Sequence, residues 1–143
     1  MIDEEIIEKR IDSIEEKVKY LKNISKIETE KFLKSYEKIQ AAKHSLQEAI
    51  EACLDISNHV IAAKGLERSE SYSDMFQRLA EVGILNKRLA DRLSDMARFR
   101  NLLVHQYTEI ENRRVHEIIK ENLNDIEEFM KSIEMLLEKE DSH

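Results

Sequence analysis

The amino-acid sequence predicts an all-α protein, and three observations lead to this prediction. The 143 residues include no proline and only two glycines, so the residues that most often interrupt helices are nearly absent. Charged residues make up 37% of the chain, and isoleucine and leucine recur between them at helical spacing. The length fits one domain with a core of its own. We therefore predict one domain over residues 1–143, folded as an up-and-down bundle of four to five helices.

The first helix is predicted over about residues 3–22, where apolar residues recur with charged residues on the opposite face. Its apolar row is Ile2, Ile6, Ile7, Ile14, Val18 and Leu21. This row has a/d-like spacing over most of its length, which also suits pairing with a second protomer. Thr29 is a candidate cap for a short turn after this helix. A long helix over about residues 33–64 follows, and Gly65 is suited to the left-handed conformation that ends it.

The second half of the chain predicts a short helix and two longer ones. Ser73 is a candidate N-cap for a helix from Asp74 to about residue 82, which Gly83 ends. Asn86 is a candidate N-cap for the next helix, over about residues 87–105. A bend is predicted at residues 108–114, a last helix over about residues 112–138, and a frayed tail after it. The predicted aromatic and methionine core consists of Met75, Phe76, Phe99 and Phe129.

Composition restricts the location and partners of the protein. The formal net charge of −7 argues against indiscriminate binding to nucleic acid. The charge is uneven, because residues 85–116 carry seven basic against four acidic residues and the segments on either side are acidic. No apolar run approaches the roughly 18 residues of a membrane span, so no membrane association is predicted. Cys53, the one cysteine, is predicted to be a buried thiol, which together with the absence of a signal-peptide pattern predicts a cytoplasmic protein.

The stretch "RNLLVHQY", residues 100–107, places polar groups around three aliphatic residues. Arg100 offers a planar, permanently charged fork that matches two phosphate oxygens. His105 titrates near neutral pH and is able to move a proton between two oxygens. These two groups suffice to cleave RNA without a metal, since the ribose 2′-hydroxyl supplies the nucleophile, and DNA is expected to be inert. The competing interpretation is a helix end that carries solvated polar residues.

Helix geometry leaves open how the two groups meet. Positions five apart on a straight helix differ by about 140° in direction, so Arg100 and His105 are not neighbours by default. Asn101 and His105 are four apart and aligned, whereas Arg100 and Tyr107 are seven apart and nearly eclipsed. The long arginine stem, an unwound last turn or a dimer that joins two copies of the motif each provides a route.

Asp55, Asn58 and His59 are the other candidate cleft residues, as supports for the site. Asp55 and His59 share a helix face, and they are interpreted either as a surface pair or as a catalytic dyad. Asn58 aligns with an apolar row and is predicted to point inward, where it either ties the bundle together or lines the cleft. No metal is predicted, because Asp55, His59, His105 and His116 lack a metal-binding pattern.

Several further side chains have less specific interpretations. His44, His116 and His143 are interpreted as solvated. Tyr72 either pins its loop by packing or grips RNA by stacking. Arg98 is predicted to face away from Arg100 and to contact either solvent or an RNA backbone.

The motif "FRNLLVHQYTEIENRRV" resembles the R-x4-H-x-Y signature of HEPN-domain toxins of the HepT family. The resemblance extends over residues 53–107, including "DISNH", "SYSDMF" and "AEVGIL". It implies a helical homodimer that acts as a metal-independent endoribonuclease toxin of a type II toxin–antitoxin pair, without a cofactor. It also implies Arg100 and His105 as the catalytic pair, and a cognate nucleotidyltransferase antitoxin that transfers AMP to Tyr107.

Two other hypotheses compete with an RNA-cleaving enzyme. One is a catalytically silent HEPN subunit that binds a nucleotidyltransferase partner or nucleotides. The other is a purely structural helical dimer, which leaves the basic motif unexplained. The intact pair of Arg100 and His105 favours the enzyme.

Overall fold

The computed structural model describes residues 2–105 and 109–142, with the side chains of all these except residues 101, 102, 104, 105, 109 and 110. Six helices account for most of the described residues, among which there is no strand, and the predicted all-α fold is confirmed. The count exceeds the predicted four to five because α2 is a separate helix of five residues. The helices are α1 (Glu4–Ser25), α2 (Thr29–Leu33), α3 (Tyr36–Ala63), α4 (Tyr72–Glu81), α5 (Lys87–His105) and α6 (Glu109–Asp141).

Helix α3 is the centre of the bundle, because it packs against each of the other five helices. Helix α1 lies along α3 and α6, and α4 lies along α5 and α3. Phe76 of α4 and Phe129 of α6 meet edge to face in the core, with ring centroids 5.9 Å apart. The predicted burial of Cys53 is confirmed, and desolvation raises the pKa of its thiol far above the ordinary value. Met75 is only partly buried, at the edge of the core.

The local signals that end or begin helices are largely confirmed. Gly65 and Gly83 both have a positive φ, at 64° and 79°, as a left-handed helix end requires. The Asn86 side chain accepts a hydrogen bond of 2.8 Å from the backbone N–H of Leu89, so it caps α5 as predicted. The predicted cap of α4 was wrong by two residues: Ser71 is the N-cap, and Ser73 lies within the first turn.

Two predicted features of α6 were wrong. The predicted bend at residues 108–114 is helical from Glu109 onward. The tail also stays helical to Asp141, since Leu136 and Leu137 are buried and Lys64 forms an ion pair of 2.7 Å with Glu140. Packing against the bundle therefore extends the C-terminal end of the helix beyond its local signals.

His116 was predicted to be solvated, and this was wrong: its exposed fraction is 0%. The ring stacks on Phe32 with centroids 4.4 Å apart. Its Nδ1 lies 2.9 Å from the Thr29 hydroxyl, and its Nε2 lies 3.0 Å from the Ile24 carbonyl oxygen. Because a carbonyl oxygen only accepts, Nε2 carries the proton and Nδ1 of the neutral ring accepts from Thr29. Thr29 is therefore the first residue of α2 and not its cap, because the N-cap position is Glu28. Its hydroxyl instead forms a hydrogen bond to His116 of α6.

Candidate active site

Helix α5 carries the basic motif and is fixed by a row of buried side chains along its length. This row is Leu89, Leu93, Met96, Phe99 and Leu103. Leu103, one of the three aliphatic residues of the motif, is buried, whereas the side chains of Leu102 and Val104 lie outside the described ones. Arg100 directly follows a buried residue of this row, and its side chain is 24% exposed. The packing of this row therefore fixes the position on the bundle surface at which the Arg100 side chain is placed.

The Arg100 guanidinium is bound to Glu51 of the central helix α3. Its Nε lies 2.9 Å and its Nη2 2.6 Å from the same carboxylate oxygen, Oε1. The Gln47 amide donates a third hydrogen bond of 3.1 Å to that oxygen. Burial raises the pKa of Glu51, but the hydrogen bonds from Gln47 and Arg100 outweigh it, so the pKa lies below its ordinary value. Glu51 is thus an ionised partner at neutral pH.

Tyr72, the first residue of α4, covers a face of the same guanidinium. The Arg100 Cζ atom lies 5.6 Å from the centroid of the tyrosine ring, a distance typical of cation–π contacts. The ring is 53% exposed, so it packs on Arg100 with one face and leaves the rest open to solvent, and a role in gripping RNA stays a prediction. Three helices, α3, α4 and α5, therefore converge on one arginine.

The other motif residues are described only by their backbone or lie outside the description. Helix α5 spans Lys87–His105 and so includes Asn101. The side chains of Asn101 and His105, and all of Tyr107, lie outside the described parts of the chain. Because the backbone is helical through His105, positions 100 and 105 point about 140° apart. The unwound last turn that would have joined them does not occur before His105.

The three candidate support residues lie further along α3, where two of them contact the N-terminal region. Asn58 is exposed, so its predicted inward orientation was wrong; the neighbouring Ser57 is buried and donates a hydrogen bond to the Cys53 carbonyl. The Asp55 carboxylate lies 3.8 Å from Arg10. His59 Nε2 accepts a hydrogen bond of 2.9 Å from the backbone N–H of Asp3.

Each of Asp55 and His59 is therefore engaged by the N-terminal region, which argues against a dyad between them. Asn58 shares the face of α3 that carries Glu51, about 10 Å further along the helix. A role for these residues in the cleft stays a prediction.

Several other arginines of α5 and α6 already have partners within the protein. Arg98 pairs with Asp95 at 2.8 Å, on the side of the helix away from Arg100, as its spacing predicts. Arg92 pairs at 3.3 Å with Asp125, a buried carboxylate that Asn122 also contacts. Arg114 lies over the Phe99 ring at 5.8 Å from its centroid.

The remaining candidate ligands give no further centre. Among the described residues, no group of three or more His, Cys, Asp or Glu side chains is placed to hold a metal ion. His44 is exposed, as predicted, and pairs with Glu48. None of the helices within the described ranges is long and apolar enough to span a bilayer.

Glu51 is the site residue that the sequence did not reveal. A partial signal exists, because Gln47, Glu51 and Asp55 recur every four residues and form a polar row along one side of α3. That row predicts one polar side of α3, among other polar residues of the helix. The partner of Glu51 lies 49 residues further along the chain, and only the tertiary packing of α3 against α5 identifies it.

An all-α bundle that presents an R-x4-H-x-Y motif at the end of a long helix is the arrangement of a HEPN domain. The chain matches the family described as "Ribonuclease HepT-like" over residues 7–133. It belongs to this family.

Individual relatives agree with the family assignment. The mRNA nuclease HepT of Shewanella oneidensis is 35% identical over 86 residues, which cover 60% of this chain and 65% of that protein. The tRNA nuclease HepT of Aphanizomenon flos-aquae is 29% identical over 110 residues, covering 77% and 75% of the two chains. A solved structure of the tri-AMPylated HEPN toxin of Shewanella oneidensis in complex with its MNT antitoxin has a TM-score of 0.83 and 29% identity, covering 94% of this chain and 99% of that one.

Proposed function

We propose that this protein is a metal-independent endoribonuclease, and that it is the cytoplasmic toxin of a type II toxin–antitoxin pair. The observation that carries the proposal is Arg100 itself: a guanidinium fixed by three helices at the surface, in the R-x4-H-x-Y motif of a ribonuclease family. Relatives that are named mRNA and tRNA nucleases support the reaction class.

The chemistry follows from the two groups in turn. His105 takes the proton from a ribose 2′-hydroxyl, whose oxygen attacks the adjacent phosphorus, and a proton is returned to the departing 5′-oxygen. Arg100 binds the non-bridging phosphoryl oxygens and stabilises the charge that builds up on them. DNA lacks the attacking hydroxyl and stays uncut.

A homodimer is part of the proposal because of the direction of the two positions on α5. With His105 about 140° away from Arg100 around the helix, one helix presents the pair to a phosphodiester only through the long arginine stem. Two copies of α5 across a cleft bring the Arg100 of one protomer towards the His105 of the other.

Control of the enzyme by its antitoxin is the second part. A cognate nucleotidyltransferase is proposed to transfer AMP to the Tyr107 hydroxyl, two residues after His105. The added phosphate is an anion that pairs with Arg100 and occupies the path of RNA, so the modified enzyme is silent. The AMPylated toxin in complex with an MNT antitoxin, among the structural neighbours, supports this part.

The test is cleavage of RNA by the purified protein in EDTA, with wild type, His105→Ala and Arg100→Ala. Loss of proton transfer is expected to lower the rate about 10²–10⁴-fold, and loss of the guanidinium roughly 10²–10³-fold. Arg98→Ala is the matched control, because it removes an exposed arginine of the same helix that is paired with Asp95. Wild-type cleavage that requires a divalent metal would contradict the mechanism.

A second arm of the test follows the antitoxin. After co-expression with the nucleotidyltransferase, the intact mass is expected to rise by one or more AMP units that map to Tyr107, and RNA cleavage is expected to stop. A His105→Ala protein that melts normally and cuts RNA at the wild-type rate would contradict the catalytic role of His105. Folded wild-type protein that leaves RNA intact would favour the alternative, a catalytically silent subunit that binds the nucleotidyltransferase or nucleotides.

A further inference from the structure

Glu51 makes the shortest charged contact of the candidate site. Its Oε1 accepts hydrogen bonds from both Nε and Nη2 of Arg100, at 2.9 and 2.6 Å, and a third from Gln47. The carboxylate is 36% exposed on the surface of α3, so it is not a buried charge that the fold had to neutralise. The family motif does not include it, because it lies 49 residues before the arginine.

The geometry of the contact leaves half of the guanidinium available. Arginine has five N–H donors, one on Nε and two on each Nη. Glu51 takes the Nε donor and one Nη2 donor, which lie on one edge of the planar group. The Nη1 donors and the second Nη2 donor have no acceptor among the described side chains. These donors form the end of the fork, which suits two oxygens of one phosphate.

Tyr72 restricts the guanidinium in the remaining direction. Glu51 fixes the edge of the plane, and the Tyr72 ring covers one face at 5.6 Å. A free arginine side chain loses about 2 kcal/mol of rotamer entropy when it is ordered. In this protein the arginine is ordered before any phosphate arrives.

We propose that Glu51 is the positioning residue of Arg100, which it holds by one edge so that the free end of the fork is presented to the phosphodiester of bound RNA. The inference rests on the proposed ribonuclease function. Glu51 touches neither substrate nor reacting atoms, and acts only through the arginine. The opposite role is a competitor that the phosphate must displace from Arg100, and it predicts that removal of Glu51 accelerates the enzyme.

The first test is RNA cleavage by Glu51→Ala and Glu51→Gln, with kcat and KM measured separately. Glu51→Ala is expected to lower kcat by roughly 10–10²-fold with a smaller change in KM, because a misplaced group loses transition-state stabilisation. Glu51→Gln is expected to recover most of the loss, since an amide oxygen is still able to accept both bonds. An unchanged or higher kcat for Glu51→Ala would overturn the inference.

Glu48→Ala is the matched control. Glu48 lies one turn before Glu51 on α3, is 39% exposed, and pairs with Lys17 and His44. It is expected to cleave RNA at the wild-type rate. An equal loss in both alanine variants would mean that the charge of α3 matters and not the contact with Arg100, and the inference would fail.

The decisive measurement is a double-mutant cycle. In an Arg100→Ala background, adding Glu51→Ala is expected to change kcat by less than about twofold, because a residue that acts only through Arg100 has nothing left to position. Full additivity of the two losses would overturn the inference. Wild-type protein that leaves RNA intact would overturn the proposed function and this inference with it, whereas active wild type with unimpaired Glu51→Ala overturns this inference alone.

Discussion

The clusters around Arg100 and His116 are built alike and are placed differently. In both, a cationic or titratable side chain meets an aromatic ring and hydrogen-bonds across the bundle. Both ring nitrogens of His116 are satisfied inside the core, where its exposed fraction is 0%. Arg100 is partly exposed, and its Nη1 donors and second Nη2 donor have no acceptor among the described side chains. A polar group with every bond satisfied stabilises a fold, whereas one that is fixed in place with bonds to spare is ready for a ligand.

The largest effect that separates the two clusters is expected on stability. His116→Ala removes a buried ring and two hydrogen bonds, and we expect it to reduce the free energy of unfolding by about 2–5 kcal/mol. For a chain of this size that lowers the melting temperature by roughly 5–15 °C. Arg100→Ala is expected to leave the melting temperature within about 2 °C of wild type, because Arg100 is not part of the apolar row. Thermal melts of both variants check this, and equal losses would break the comparison.

A smaller effect is expected on the pH dependence of stability. Burial lowers the pKa of His116 and nearby Lys120 lowers it further, against an opposing hydrogen bond to Ile24. Since the folded-state pKa lies below that of the unfolded chain, the unfolded state binds more protons as pH falls below about 6.5, and stability decreases there.

We therefore expect wild-type protein to lose stability between pH 7 and pH 5. His116→Gln, which cannot titrate, is expected to be less stable at pH 7 and to show a flatter dependence over that window. Denaturant unfolding at both pH values measures it. If the free energy of unfolding of His116→Gln changes with pH as steeply as that of wild type, groups other than His116 cause the loss of stability in acid.

The smallest effect is expected at Tyr72. A cation–π contact at an exposed site contributes about 0.5–1 kcal/mol, so Tyr72→Ala is expected to slow RNA cleavage by about two- to fivefold. Tyr72→Phe keeps the ring and is expected to behave as wild type. If Tyr72→Phe is as slow as Tyr72→Ala, the hydroxyl and not the ring is responsible. Single-turnover cleavage rates resolve differences of this size.

Local sequence signals predicted much of the fold, and their failures have a common cause. Helix α5 begins after Asn86 as predicted, because its N-terminal cap depends only on neighbouring residues. Asn58 was placed inside on spacing, but each residue turns a helix by 100°, and Ser57 took the buried position. His116 was misplaced because its surroundings come from α1 and α2, more than 80 residues earlier in the chain.

The candidate site divides in the same way. The motif, with Arg100 at its start, is contiguous and was visible in the sequence. Its orientation by Glu51 and Tyr72 depends on how three helices pack, which no local pattern encodes. A residue that is proposed to bind the substrate directly, such as Arg100, is therefore easier to predict than the residues that orient its side chain.

The buried thiol of Cys53 provides a chemical probe for unfolding of the helix bundle. It lies on α3, which touches all the other helices, and its raised pKa keeps it protonated and therefore unreactive in the native state. Because the chain has no second cysteine, modification by a thiol reagent counts the molecules in which the bundle has come apart. The rate of labelling, measured against reagent concentration, gives the frequency of that event without any denaturant.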